Sequence, residues 1–347
     1  MPRQKSPVKF KFKTIGIVDL HFHGAFGVDL MRASQPALEN LSRRLWKKGV
    51  AAFCPTTLSA PPKDLLGAVA RLGRWIRSPA SSDGAKPLGI HLEGPFIASG
   101  ACGAHPLKTI RPLSFEELNR LWEASLGTLK ILTIAPEPLS PGRLKKLAAW
   151  SKARQIVLSL GHSRATFENA KDAFDTGFRG ITHAWNALAF HHRDPGPLGA
   201  AIGKKDKYLE LMIDGVHVSR EVVRWTRSLH PAHRVCFVSD CVPAGGTRKG
   251  SWHPFGPLHA RFDSPVCRLP NGHLAGGGLL LSESYCRWLE AEAALTQRPL
   301  LKLFHESRAS VTEAPLWALS LPTRVLRDRK IQWEIDSGGK ISLHSHD

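Results

Sequence analysis

Short β-rich, apolar segments alternate with helical ones along most of the chain, and this alternation limits the fold more than any other feature. Strand-like stretches fall at residues 14–20, 50–54, 88–92, 129–134, 156–160, 180–182, 208–213 and 234–239. Several are nearly continuous apolar runs, the signature of parallel strands covered on both faces. Between them lie helical patterns at residues 36–48, 63–77, 115–125, 142–153, 166–176 and 220–228. Ser114 with Glu117 forms a capping box at the start of one of these, and Phe167, Ala170 and Phe174 set an apolar stripe on another. Eight β units separated by helices predict a closed (β/α)8 barrel of the α/β class. An open doubly wound sheet is disfavoured, because no G-x-G-x-x-G follows any strand.

The chain after the eighth unit is less regular. Residues 245–270, rich in Gly, Pro and His, read as an irregular loop. Residues 282–295 and 299–319 read as closing helices, and residues 330–347 as a short hairpin around Ser337-Gly-Gly or a disordered tail. The six cysteines form no C-x-x-C pair, which points to reduced thiols and a cytoplasmic setting. No apolar run reaches the ~18–20 residues that span a bilayer. The formal charge of +19 raises nucleic acid as a partner. Arg3, Lys5, Lys9, Lys11 and Lys13 precede the first acid, Asp19, and the remaining charge is spread thinly without aromatic-basic interleaving. That distribution argues against a dedicated nucleic-acid role.

In a barrel the reacting face lies at the carboxyl ends of the strands, so polar residues there are informative. The first unit ends Asp19-Leu-His-Phe-His-Gly24; residues two apart on a strand face the same way, so His21 and His23 can converge on one ion. The third ends His91-Leu-Glu-Gly-Pro95, the fifth Gly161-His-Ser163, the sixth Thr182-His-Ala184 and the eighth Ser239-Asp-Cys241. A single His or Asp at such a place is more often a hydrogen-bonded loop residue than a ligand. Five strand ends that carry imidazole or carboxylate, aimed into one mouth, are a different matter. Nitrogen and oxygen donors of this kind suit zinc, iron or a similar divalent ion. Such an ion activates water, and a spare carboxylate, here Asp240, can move the proton to a leaving group. The residues therefore predict metal-assisted hydrolysis, with the bond type open.

These segments resemble the amidohydrolase superfamily and, within it, the N-acetylglucosamine-6-phosphate deacetylase family. The resemblance runs from about Gly16 to Leu281. It is carried by the first-strand motif from Asp19 to Asp29, Pro55-Thr-Thr57, Leu88-Gly-Ile-His-Leu-Glu-Gly-Pro-Phe96, Gly103-Ala-His105 and Ala135-Pro-Glu137. It continues through Ser159-Leu-Gly-His-Ser163, Thr182-His-Ala-Trp-Asn-Ala187, Asp214-Gly-Val-His217 and Val238-Ser-Asp240. It implies that Glu93, His162 and His183 hold a metal, with His21 and His23 available for a second ion and Glu93 placed to bridge the two. It further implies that Asp240 is the general acid/base, that His105 sits against the acetamido group, that Ala104, Asn186 and Ala187 contact the substrate, and that Leu274, Ala275 and Gly276 form the loop closing on the sugar. Arg193 and His217 would bind the sugar phosphate across a homodimer interface. Zinc is the expected metal, one or two per subunit, and the expected substrate is N-acetylglucosamine 6-phosphate in amino-sugar catabolism. Another N-acetyl amino sugar or amide is the alternative.

The resemblance also sets domain expectations: a basic N-terminal arm over residues 1–13, the barrel over 14–325, and a short tail over 326–347. The family's accessory β-sandwich would then be reduced or missing. His191, His192 and His344 are expected on the surface. Trp46, Trp75, Trp122 and Trp150 are expected in barrel packing, Cys241 as a small buried side chain and Glu137 as structural.

Overall fold

The computed structural model describes residues 8–79 and 84–345. In chain order its first elements are β1 (Val8–Ile15), β2 (Ile17–Phe22), α1 (Gln35–Lys47), β3 (Val50–Pro55), α2 (Pro62–Arg77), β4 (Ile90–Glu93) and α3 (Phe115–Ala124). Then come β5 (Leu129–Ile134), α4 (Pro141–Ala153), β6 (Val157–Leu160), α5 (Phe167–Thr176), β7 (Gly180–Ile181), α6 (Gly196–Ala201), β8 (Tyr208–Met212), α7 (Arg220–Leu229) and β9 (Val235–Val238). Strands β4 to β9 pair in chain order as one curled six-stranded parallel sheet, and β2 pairs in parallel with β3.

Two seams join these sheets into a ring. At one, Thr57 N–H donates to the His91 carbonyl at 3.0 Å; at the other, Asp240 N–H donates to the His21 carbonyl at 3.0 Å and His23 N–H to Cys241 at 2.8 Å. The second seam carries a side-chain clasp. The buried Asp19 carboxylate accepts the Ser239 backbone N–H at 3.2 Å and the Ser239 hydroxyl at 2.5 Å. Burial outweighs these bonds and raises its pKa to about 7. Asp19→Ala leaves both Ser239 donors unpaired, so urea unfolding should show a loss of about 1–3 kcal/mol.

Local chemistry explains the helices. Ser114, Ser140, Thr166 and Ser219 each accept the backbone N–H three residues on, closing the first turns of α3, α4, α5 and α7. Along α2 the buried positions Leu65, Ala68, Val69, Leu72 and Trp75 follow helical spacing against the sheet. The expected first strand, residues 14–20, is in fact two strands that part at Gly16, where a Cβ would lie 2.4 Å from the Ala51 Cβ.

The segment expected as an irregular loop folds into a four-stranded antiparallel sheet: β10 (Trp252–Phe255), β11 (Leu258–Asp263), β12 (Val266–Arg268) and β13 (Leu274–Gly277). Its strands are too short, and too broken by turns at Gly256-Pro257 and Ser264-Pro265, to display a two-residue period in the sequence. Helices α8 (Leu281–Thr296), α9 (Leu300–Ser307) and α10 (Glu313–Ala318) follow. The single helix expected over 299–319 is interrupted by a 3-10 turn at Arg308–Val311.

The chain closes with β14 (Lys330–Asp336) and β15 (Ile341–Ser345), a hairpin to which β1 adds on the other side. Residues 8–13 of the expected basic arm therefore belong to a strand; residues 1–7 lie outside the described residues. Phe12 packs on Phe304 at 4.7 Å, and Trp333 is fully buried with its Nε1–H on Thr14 Oγ1 at 2.8 Å. Lys9, Lys11 and Lys13 stay exposed along β1, an edge strand that charge protects from further pairing. Among the described residues no helix is long and apolar enough to cross a membrane.

Candidate metal centre and active-site cavity

At the carboxyl ends of the ring the predicted donors meet. His21 and His23 stand on the same side of β2, with Nε2 atoms 3.2 Å apart. Glu93, the last residue of β4, is buried and touches four imidazoles of this group. Its Oε1 lies 3.0 Å from His183 Nε2, 3.2 Å from His162 Nε2 and 3.3 Å from His21 Nε2, and its Oε2 lies 3.2 Å from His23 Nε2. Asp240 Oδ1 stands 3.3 Å from His23 Nε2 and 3.5 Å from His21 Nε2. His162, His183 and Asp240 follow the ends of β6, β7 and β9 with φ of 47°, 30° and 48°. Non-glycine residues rarely take this left-handed conformation, and its recurrence at three converging strand ends is a mark of functional sites.

The hydrogen-bond partners assign protons to the rings. His162 Nδ1 donates to the Ala101 carbonyl at 2.8 Å, and His21 Nδ1 to Glu210 Oε2 at 3.0 Å. With Nδ1 so occupied, Nε2 is the nitrogen that faces the carboxylate oxygens in both rings, and without a cation there it would be a bare lone pair. Acceptors aimed at acceptors in a buried space require a cation, so the donor set fits a divalent metal. The titration pattern agrees. Burial opposes protonation of His21, but the charges of Glu93 and Asp240 outweigh it and hold its pKa well above the usual value. Burial would raise the Asp240 carboxyl, yet the charge of His21 and the hydrogen bond and charge of His23 hold it down at about 2. Burial would raise Glu93 too, but the charge of His21 and the hydrogen bonds of His105, His162 and His183 hold it well below the usual carboxylate range. The cluster attracts positive charge.

His105 stands beside it. Its Nδ1 accepts the Ser59 N–H at 3.1 Å and the Ser59 hydroxyl at 2.7 Å, so Nε2 carries the hydrogen and donates to Glu93 Oε2 at 3.2 Å. Burial, and then the charge of His162, lower its pKa to about 4 and keep it neutral.

One cavity opens over the cluster. It is lined by His23, Glu93, Ala104, His105, His162, His183, Asn186, Ala187, His217, Asp240, Leu274, Ala275 and Gly276 among the expected residues. His21 lies beneath its floor, with no exposure to solvent. His217 is fixed by Asp214, whose Oδ2 is 2.6 Å from its Nδ1. Arg193 is the exception: it is exposed on the loop after β7 and does not line the cavity of its own chain. Leu58, Gly103 and Phe255 also line the cavity, although sequence reasoning assigned them no role. Gly103 sits in the Gly103-Ala-His105 segment, where a Cβ would approach the His162 ring to 3.0 Å. Phe255 is delivered by the unanticipated sheet, and its ring lies 5.4 Å from that of His23. Glu210 and His91, beneath the cluster, were missed too. The available signal for Glu210 was a lone charge inside the apolar run of β8.

No family model matches the chain. It is similar to an N-acetylgalactosamine-6-phosphate deacetylase of Escherichia coli O157:H7, 33% identical over 273 residues, 76% of this chain and 68% of that protein. It is also similar to an N-acetylglucosamine-6-phosphate deacetylase of Bacillus subtilis, 30% identical over 308 residues, 86% of this chain and 77% of that protein. Among solved structures, the N-acetylglucosamine-6-phosphate deacetylase of Thermotoga maritima superposes with a TM-score of 0.79 at 31% identity, covering 95% of this chain and 85% of that one. A variant of the Mycobacterium smegmatis N-acetyl-D-glucosamine-6-phosphate deacetylase, solved in complex with N-acetyl-D-glucosamine-6-phosphate, gives 0.83 at 26% identity over 95% and 84% of the two chains. With the barrel, the donor set and these similarities together, the chain belongs to the N-acetylglucosamine-6-phosphate deacetylase family of the amidohydrolase superfamily.

Proposed function

We propose that the protein hydrolyses the acetamide of N-acetylglucosamine 6-phosphate to glucosamine 6-phosphate and acetate. The observation that carries this reading is the convergence of every expected donor and sugar-contact residue except Arg193 on one cavity and its floor. Glu93, His162 and His183, with His21 and His23, would hold the divalent cation, zinc being the ion that this imidazole and carboxylate set suits best. Once bound, the cation would polarise the amide carbonyl and bring the pKa of a water towards ~7.

The chain's own residues supply the rest. Asp240 takes the proton of the attacking water and hands it to the amide nitrogen as the C–N bond breaks. His105, neutral and with Nε2–H turned to the cluster, orients the acetamido oxygen. Asn186, Ala187, Leu274, Ala275 and Gly276 hold the sugar ring. Acetate release should require both the 6-phosphate and the metal. Release from the unphosphorylated sugar at an equal kcat/KM, or undiminished release after chelation, would sink the assignment.

His217 and Arg193 are assigned to the phosphate. Because Arg193 is turned away from its own cavity, it serves the site of a second copy, and the active protein is a homodimer. Arg193→Ala should raise KM for the phosphorylated sugar by about 10–100-fold, the worth of one charge-assisted hydrogen bond. Unchanged KM removes Arg193 from the site.

A second reading keeps the chemistry and changes the sugar, since one relative at 33% identity is named for N-acetylgalactosamine 6-phosphate. Running the two epimers side by side decides between them. The free cysteines fit a reducing, cytoplasmic compartment. The three-stranded sheet of the termini is read as the reduced accessory sandwich.

A further inference from the structure

Glu210 is the only charged residue of β8, set between Leu209 and Leu211 and closed off from solvent. Its Oε2 accepts from His21 Nδ1 at 3.0 Å and from the backbone N–H of His183 at 3.3 Å, while its Oε1 has no partner. A carboxylate this deep costs several kcal/mol unless a positive group compensates it. Among the described residues the only such group in contact with it is the His21 imidazole.

The contact also decides the state of that ring. Nδ1 must carry the hydrogen that Glu210 accepts, so Nε2, directed at Glu93 Oε1 and Asp240 Oδ1, is the nitrogen left to ligate a cation. The other three imidazoles are held differently. His162 is anchored by the uncharged Ala101 carbonyl, and the Nδ1 atoms of His23 and His183 are buried without partners. One ring of the four is backed by a charge, and it belongs to the His21–His23–Asp240 group and not to the Glu93–His162–His183 group.

We propose that Glu210 is the positioning residue that fits this chain for a second divalent cation, holding His21 through Nδ1 so that the His21–His23–Asp240 group is filled as well. The inference rests on the metal-centre reading given above. A carboxylate behind a ligating imidazole fixes the ring and strengthens its donor nitrogen, and its removal typically weakens metal binding by about 10–100-fold. Glu210 lies below the cavity and does not meet the substrate.

The test uses the full chain as wild type, Glu210→Gln and Glu210→Ala. Each is loaded with Zn²⁺, dialysed against graded chelator and analysed for metal content. Wild type should retain two zinc ions per chain. Both variants should retain one at wild-type affinity, which also reports that they are folded, and hold the other more weakly. Glu210→Gln, which keeps an acceptor without charge, should lose about 10-fold and Glu210→Ala about 100-fold. The proposal is overturned by a wild type that holds a single ion, by variants that hold both with unchanged affinity, or by equal loss of both ions.

Should the variants not fold, ¹⁵N NMR of zinc-loaded wild type still decides. His21 must appear protonated at Nδ1 and ligated through Nε2, and any other state of the ring overturns the proposal. Acetate release is scored separately. A wild type with two ions and no deacetylation would defeat the functional reading while leaving the role of Glu210 standing.

Discussion

Asp240→Asn is expected to keep the ion held by Glu93, His162 and His183 and to lose about 10²–10⁴ of kcat, the usual worth of a positioned acid/base group. Three features single out Asp240. Its side chain is 15% exposed against 2% for Glu93, so it is the more accessible of the two cluster carboxylates that line the cavity. Its pKa near about 2 keeps it ionised at neutral pH, ready to accept the proton of an attacking water. Its φ of 48° turns the side chain back over the strand end towards the donors. Asparagine preserves the shape and one acceptor oxygen but cannot carry the proton. Metal content and steady-state kinetics on one preparation separate the two roles: a variant that retains metal and turns over near the wild-type rate takes Asp240 out of the mechanism.

Glu93→Ala is expected to have the widest effect, because one side chain touches His21, His23, His105, His162 and His183. Metal retention should fail, and kcat/KM should fall by more than about 10³-fold as several kcal/mol of charge stabilisation disappear. The same variant alters the pH dependence of the metal-free protein. His21 and His23 have folded pKa values above 6.5, so the stability they contribute is fully present below that pH and is lost as pH rises through the folded values. Asp19, with a folded pKa of about 7, adds a fall of the same sign that is complete about one pH unit above 7, and His91 and His105, lowered to about 4, act only below 6.5. Between pH 7 and 9 the Tm of metal-free wild type should therefore decline. Glu93→Ala removes the strongest of the charges that raise His21, so its Tm should vary less over that interval. A wild-type Tm that is flat or rising from pH 7 to 9 contradicts this account of the cluster.

Much of the centre was legible before any coordinates because its residues violate local expectation. Histidine, glutamate and aspartate at the ends of apolar runs have no packing reason to be there, and five such ends in a barrel can only meet. The β-sheet that delivers Phe255 was not legible, since strands of three to six residues broken at Gly256-Pro257 and Ser264-Pro265 leave no periodicity to count. Neither was the clasp between Asp19 and Ser239, which lie 220 positions apart and become neighbours only when the ring closes.

The sequence by itself determined the order of the strands and helices of the ring and which residues stand at its strand ends as candidate donors, because periodicity and side-chain chemistry are local properties of the chain. Tertiary structure alone decided which atoms those donors present. Nε2 of His21 is left for Glu93 and Asp240 because Glu210, from a strand distant in sequence, takes the hydrogen on Nδ1. His105 is a donor because Ser59 fills its other nitrogen. Arg193 is exposed and does not line the cavity of its own chain. Protonation and direction depend on partners brought together by ring closure, and no spacing along the chain encodes them.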